Sequence, residues 1–481
     1  MKNGTLTIAQ PLLRLVDPHE CTDNRQARSV HHAIFDALVV RGPDFKMVPA
    51  LAESWELSED ARTWIFRLRD GVRFHNGEPF DSEAAAFSLM RMGGPDAGSA
   101  LGQPAVYAQY LGGARIEPID ARRLRLTTES PNADLLDILV DAYMVPPRSA
   151  EELGPKFATN PIGTGAFQFV GSDPGDRIVA EANRSHFRGP PSAKRGIWRL
   201  VRDPEDRIAG LRTGEVDIAS DLRPGDAQLL TAAHGVFRRF RGTMTVAYFF
   251  NCARGPMRDR RVRQALNLAI DRNEIIKEVL DGAGYPLSSL AGPGHLGFDP
   301  TLELYRPDLR EASRLLAESG YANGLVITVS SPSSLPDEAL VLATTVARQL
   351  GKVGIEATIE VTSDRTEYAH KVRRKEIGDL CLFDSSPLST HRVLREKLSG
   401  TFRGAWWQGY ESPQLDHLIE MGSRTVDESE REAIYRQCFR LIHDDAPWLF
   451  LYNPEDIYGV SEALRDWSPT VDGFIDPRHL P

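Results

Sequence analysis

Two short, strongly apolar segments, TVAYFF at 245–250 and WLFLY at 448–452, constrain what this chain can fold into. Runs of this length bounded by turn residues read as strands buried on both faces. The first runs into a Gly255-Pro256 turn and then a fresh series of helices and strands, while the second precedes a short tail. A strand that opens a new α/β unit marks a crossover between domains, so two of them predict a chain that leaves a first domain, builds a second and returns. The expected spans are residues 1–246, 247–450 and 451–481, joined by a hinge that suits closure around a ligand. At 481 residues the chain also exceeds the size at which single cores stop growing, so more than one domain is expected.

Strand-like and helix-like segments alternate throughout, which is the α/β pattern. TLTIAQ reads as an opening strand, and NRQARSVHHAIFDALV as a helix with Val30, Ala33, Ile34, Ala37 and Leu38 on one face. In TWIFRLRDGVRFHNGEPFDS, residues 63–82, apolar Trp64, Phe66 and Leu68 alternate as in a half-buried strand. Asp70-Gly71 is expected to turn the chain so that Val72 to His75 return antiparallel to it, and Asn76-Gly77 to turn it again. Asp81 or Ser82 then caps a helix reading EAAAFSLMRM, with Glu83 near its positive end. Residues 113–127 read as a second hairpin, and PNADLLDILV as a helix. PIGTGAFQFVGSDPGDRIVAEAN reads as two short strands, and DRIAGLRTGEVDIASDL as helix, glycine turn and strand. Beyond residue 250 one long amphipathic helix is expected, with Val262, Ala265, Leu266, Ala269 and Ile270 sharing a face. Helices over 308–320, 338–351 and 429–443 and strands over 325–330 and 355–361 complete the second domain.

Composition excludes several functions. With 57 basic against 67 acidic residues the net charge is -10, which argues against a nucleic-acid or anionic-membrane partner. No apolar run approaches the roughly 18 residues of a membrane span. The cysteines Cys21, Cys252, Cys381 and Cys438 form no CxxC pair and define neither a disulfide framework nor a zinc site, so buried free thiols are expected. The opening MKNGTLTIAQPLL lacks the apolar core of an export signal, which leaves two readings open, a removed signal or a protein that stays inside.

Several motifs carry no chemistry. Gly292-Pro-Gly-His-Leu-Gly297 matches GxGxxG without the required strand and helix around it, and reads as a loop. IGTGA at 162–166 lacks a following GK[ST] and reads as a turn. Adjacent His31 and His32 diverge on a helix and would not share a metal, and HDDAP at 443–447 reads as a helix end. The sequence contains no HExxH and no GxSxG, so no enzyme constellation is in view, and no metal or other cofactor is implied.

Taken in order, six stretches resemble the peptide/nickel/opine class, family 5, of extracytoplasmic solute-binding proteins, the receptors of ABC importers. They are LTIAQPLLRLVDPH, MVPALAESWELSEDARTWIFRLRDGVRFHNGEPFDSEAAAFSLMR, NPIGTGAF, LRTGEVDIA, YFFNCARGPMRDRRVRQALNLAIDRNEII, and YESPQLDHLIEMGSRTVDESEREAIYRQCFRLIHDDAPWLFLY. The resemblance implies a two-lobed periplasmic-binding-protein fold of type II, cluster C, with an extra subdomain over roughly 36–160 in lobe I. It implies binding rather than reaction: an oligopeptide- or dipeptide-like solute captured in an interlobe cleft and delivered to a membrane permease, by a monomer in the periplasm. A receptor for an oligosaccharide or opine-like sugar conjugate is the alternative, ahead of a nickel-chelate receptor or an intracellular sensor.

In peptide-binding relatives an aspartate before a proline meets the ligand ammonium. Asp384 in DLCLFDSSP stands at the matching place, with a turn-capping aspartate as the alternative reading. Trp406 and Trp407 are further candidates: on a strand neighbouring side chains point to opposite faces, so one packs inside while the other meets the ligand, against the alternative that both are core. The resemblance also brings Phe383 and the segment Glu20-Cys21-Thr22 to the ligand. Arg365, Arg373 and Arg374 can neutralise a ligand carboxylate or phosphate, although helical arginines usually make a solvated face.

Overall fold

The computed structural model describes residues 1, 3–20, 25–95, 107–230, 234–334, 336–385, 388–478 and 480. The chain forms two compact units, Met1–Phe240 with Asp456–Pro481, and Arg241–Glu455. The strand Trp448–Val460 carries it from the second back into the first.

In the first unit Thr5–Gln10 lies parallel to both Arg195–Leu200 and Ile218–Ala219, and Arg177–Ala182 and Phe167–Asp173 extend the sheet antiparallel. The helix Arg25–Ile34 sets Val30, Ala33 and Ile34 in a core with Leu6, Ile8 and Trp198. It ends five residues short of the periodic run because its last carbonyls are taken elsewhere. Ile34 accepts from the Gly165 amide at 2.9 Å, and past the helix end Asp36 accepts from Met144 at 2.9 Å. Gly165 is required there, since a Cβ would stand 2.4 Å from the Ile34 carbonyl carbon. IGTGA is thus a turn packed on a helix end.

A second, four-stranded antiparallel sheet runs Ala52–Leu57, Thr63–Leu68, Arg123–Thr127 and Arg115–Asp120. Trp64, Phe66 and Leu68 face its core, as the alternation predicts. Val72 to His75 do not return along Thr63–Leu68, contrary to expectation, because Ala52–Leu57 and Arg123–Thr127 occupy both of that strand's edges. The local reversal is instead at Asn76-Gly77, where Phe74 and Glu78 are bonded and Arg73 bridges Pro79. The helix Ser82–Met92 begins as read: the Asp81 carboxylate accepts from the Ala84 amide.

The second unit is built on a mixed sheet in the order Ile355–Thr362, Leu325–Pro332, Leu380–Ser385, Thr245–Phe250 and Trp448–Val460. Thr245–Phe250 is buried along its whole length. Its Tyr248 and Phe250 join Leu380 and Leu382 in one core, and Ala247 and Phe249 join Cys381 and Phe383 in the other, so the two-residue period sorts side chains to the two faces. The expected single helix breaks in two, Arg260–Ala269 and Arg272–Leu280. Ile270 is extended, and Asp271 accepts from the Asn273 and Glu274 amides to start the second helix. Buried Arg272 fills the break, donating to the carbonyls of Asn267, Ile270 and Leu287 and to Asn267 Oδ1.

Candidate binding site

The second unit's sheet ends in a cluster of polar groups. Thr245 is opposite Ser385 and Val246 opposite Asp384 in the antiparallel register, and the Thr245 hydroxyl donates to the Ser385 carbonyl at 3.2 Å. The parallel neighbour Leu325–Pro332 brings Ser331 and Pro332 to the same end. Because side chains alternate along Leu380–Ser385, Phe383 turns into a core while Asp384 is left partly exposed at the strand's end.

Asp384 is part of a charged group drawn from three elements. Arg365, the first residue of the helix Arg365–Arg373, places its Nη2 3.5 Å from Asp384 Oδ1. Its guanidinium lies over the rings of Phe383 and Tyr368, at 5.4 and 5.6 Å from their centroids. Tyr368 is fixed in turn, its hydroxyl donating to the Ser330 and Leu382 carbonyls. Buried Lys397 donates to the Asp384 carbonyl at 3.3 Å and stands over the Phe249 and Phe383 rings. Glu338, just before the helix Ala339–Gly351, accepts from the Tyr452 hydroxyl at 2.8 Å. Burial pushes the Glu338 carboxyl up from its ordinary value, and the charges of Asp337 and Asp384 push the same way. Among the described residues, the Ser385 hydroxyl and Arg365 Nη1 are buried without a hydrogen-bond partner.

Of the residues singled out in the sequence, Phe383 and Trp406 come together, and Asp384 is joined to Phe383 through Arg365. Trp406 lies against Phe383 with ring centroids 4.6 Å apart, and Arg373 covers its ring at 5.2 Å. The tryptophans do not stand on a strand, so they do not alternate between core and surface. They lie in a turn, where the Trp407 indole N–H donates to the Tyr410 carbonyl at 2.6 Å and both side chains are half-buried. Neighbouring Lys375 donates to the Ala405 carbonyl, and burial lowers its ammonium pKa to about 8. Cys21 and Thr22 lie outside the described residues.

Arg374, just past the end of the helix Arg365–Arg373, is exposed as the sequence suggests and pairs with Glu367 and Glu376. Arg365 departs from that reading by turning inward over two aromatic rings. Glu338, Lys397 and Tyr452 carried no local sequence signal, being separated from Asp384 along the chain. Of the other motifs, 292–297 is a loop and HDDAP ends the helix Glu428–Asp445; among the described residues no group of metal-ligating side chains occurs. Cys252, Cys381 and Cys438 are free, and burial raises all three thiols, Cys381 to about 12.

Residues 46–388 match the family described as bacterial extracellular solute-binding proteins, family 5 Middle. The glutathione-binding protein GsiB of Pectobacterium atrosepticum is 27% identical, over 96% of this chain and 91% of its own. The di/tripeptide-binding protein 2 of Pseudomonas aeruginosa is 28% identical, over 91% and 87%. Among solved structures, HbpA2 from Haemophilus parasuis matches 99% of this chain and 100% of its own at a TM-score of 0.86 and 20% identity.

Proposed function

Since the chain belongs to the bacterial extracellular solute-binding proteins, family 5, we propose that it captures a di- or tripeptide-like solute outside the cytoplasm and hands it to the permease of an ABC importer. The family consists of solute-binding proteins of transporters, not enzymes, so the work is capture and release with no bond made or broken. Similarity over nearly the whole length to proteins named for glutathione and for di- and tripeptides supports a short peptide as the solute.

The observation that carries the reading is the placement of Asp384. Its carboxylate is partly exposed at the end of a buried strand, next to the Arg365 guanidinium that lies over the buried Phe383 ring. An ammonium docked there forms a charge pair at the edge of a hydrophobic wall, where water screens it less than at an open surface. The half-buried Trp406 offers apolar area to a side chain without dictating its identity. We assign Asp384 and Trp406 to the solute site, with buried Phe383 backing Arg365 and Trp406 from the core and Trp407 supporting the turn that holds Trp406. A periplasmic location and a monomeric state complete the reading; the family's extracellular assignment supports the first, and among the described residues no helix is long and apolar enough to cross a membrane.

Thermal unfolding with a panel of di- and tripeptides, glutathione, disaccharides and nickel-histidine tests it. A cognate peptide at 100 times its Kd stabilises the fold by about 2.7 kcal/mol and raises Tm accordingly. A shift with a disaccharide or the nickel chelate, and none with any peptide, overturns the assignment.

A further inference from the structure

The first unit carries a groove of its own, away from the Asp384 cluster. It holds about 370 Å³ and is walled by the helix Arg25–Ile34, the hairpin Val39–Arg41 with Met47–Pro49, the turn at Arg188 and the tail over 468–478. That volume lies within the range of about 300–1,000 Å³ usual for small-molecule sites. Val40, Pro43, Val48, Val140 and Phe474 form its apolar wall.

The charges around the groove fall into two kinds. Three arginines are paired within the protein: Arg28 with Asp141, Arg41 with Asp137 and Asp472, and Arg478 with Asp36 and Asp476. These side chains are mostly buried, and their pairing engages all five carboxylates. Arg188 differs. It is exposed and donates to the Pro49 carbonyl, and among the described residues no carboxylate lies within ion-pair distance of it. Arg69 stands in the same condition, its Nε donating to the Ala50 carbonyl at 2.6 Å with no carboxylate partner among the described residues. Both guanidiniums lie by the Phe187 ring, at 5.6 and 5.4 Å from its centroid. Desolvation and the charge of Arg478 lower the Arg188 guanidinium from its ordinary value; Arg69 adds to this, while Asp36 and Asp476 act against it.

Two cations without counter-charges therefore meet at one rim of a partly apolar groove. An anion relieves their repulsion, a neutral solute does not, and a cation adds to it. The guanidinium fork matches a carboxylate or a phosphate group, and each arginine uses only one of its N–H groups on the protein.

We propose that this groove is a second binding site, independent of the peptide reading, for a small organic anion. Arg188 binds its carboxylate or phosphate group, Arg69 adds charge beside it, and the apolar body lies along Val40, Val48 and Phe474.

Calorimetric titration of the full chain with phenylacetate, phenyl phosphate and neutral phenylacetamide tests this, on the wild type, Arg188→Gln, Arg188→Lys and Arg69→Gln. The wild type is expected to bind at least one of the anions at a Kd of about a millimolar or tighter, and about 10-fold or more ahead of the amide. Which anion is the tighter tells a carboxylate ligand from a phosphate one. Arg188→Gln is expected to weaken that anion about 10-fold or more and Arg69→Gln about 3-fold, while Arg188→Lys keeps part of the affinity. No binding of either anion up to about 10 mM, an amide bound as tightly as the anions, or anion binding unchanged in Arg188→Gln overturns the site, and none of these results bears on peptide capture.

Discussion

Asp384 projects a charge from the end of a buried strand, and its only ion-pair partner among the described residues is Arg365. Replacing it by alanine leaves the guanidinium with no carboxylate and removes the counter-charge for a solute ammonium. The expected loss in binding is about 2–5 kcal/mol, read by calorimetry with whichever peptide raises Tm most. Unchanged affinity in Asp384→Ala would remove the residue from the site. Asp384 was singled out because its segment, an apolar strand ending in Asp-Ser-Ser-Pro, resembles the family's, and the strand is what the structure shows there. Arg365 was visible only as one of several helical cations. What distinguishes it from Arg374 is that it packs on Phe383 and Tyr368, and no local spacing records a contact made across 17 residues of intervening chain to Phe383.

Elements were legible where periodicity and caps agree, and misread where tertiary hydrogen bonds decide. Asp81 and Asp427 cap helices through their own side chains, a signal local to the sequence. The break after Ala269 had such a signal in Asp271, but the apolar stripe Val262 to Ile270 masked it. The break persists because Arg272 takes up the carbonyls that the interrupted helix leaves over. Burial in this setting lowers its guanidinium pKa to about 10, which still leaves it charged at neutral pH. Arg272→Met keeps much of the packing volume and removes every donor, leaving buried carbonyls unsatisfied. It is expected to destabilise the second unit by about 2–4 kcal/mol, seen as a lower urea midpoint with an unchanged slope. A midpoint within error of the wild type would show that water replaces the guanidinium there. The misplaced return of Val72 to His75 has a related cause, since competition for strand edges is settled by the whole sheet.

For the molecule as a whole, pH acts through buried histidines. Burial lowers the imidazole pKa of His19 and His31 to about 4 and of His391 to about 3, with the charge of Arg91 adding to the effect at His19. These groups stay neutral in the folded chain while an unfolded chain protonates them near the ordinary value of about 6.5. Between those values the unfolded state binds more protons, so stability falls as pH falls, by up to about 1.4 kcal/mol per pH unit for each group. Urea midpoints measured from pH 7.5 to 4.5 should decline over this window, and a flat profile would contradict the burial assigned to these rings. Asp36 adds a loss at lower pH: His186, Arg478 and Thr164 hold its carboxyl below the ordinary range, so its contribution disappears only as pH drops through its depressed folded value. The alternation of strands and helices made the α/β class legible, whereas the solute was not, because its recognition depends on a few side chains that only folding assembles.

The central claim is non-covalent capture of a short peptide, and equilibrium dialysis followed by mass spectrometry of both compartments tests it most directly. With a mixed pool of di- and tripeptides including γ-glutamyl peptides, the account predicts saturable enrichment on the protein side to one peptide per chain, recovered chemically intact. Equal concentrations on the two sides, or peptides returned cleaved or altered, would contradict it.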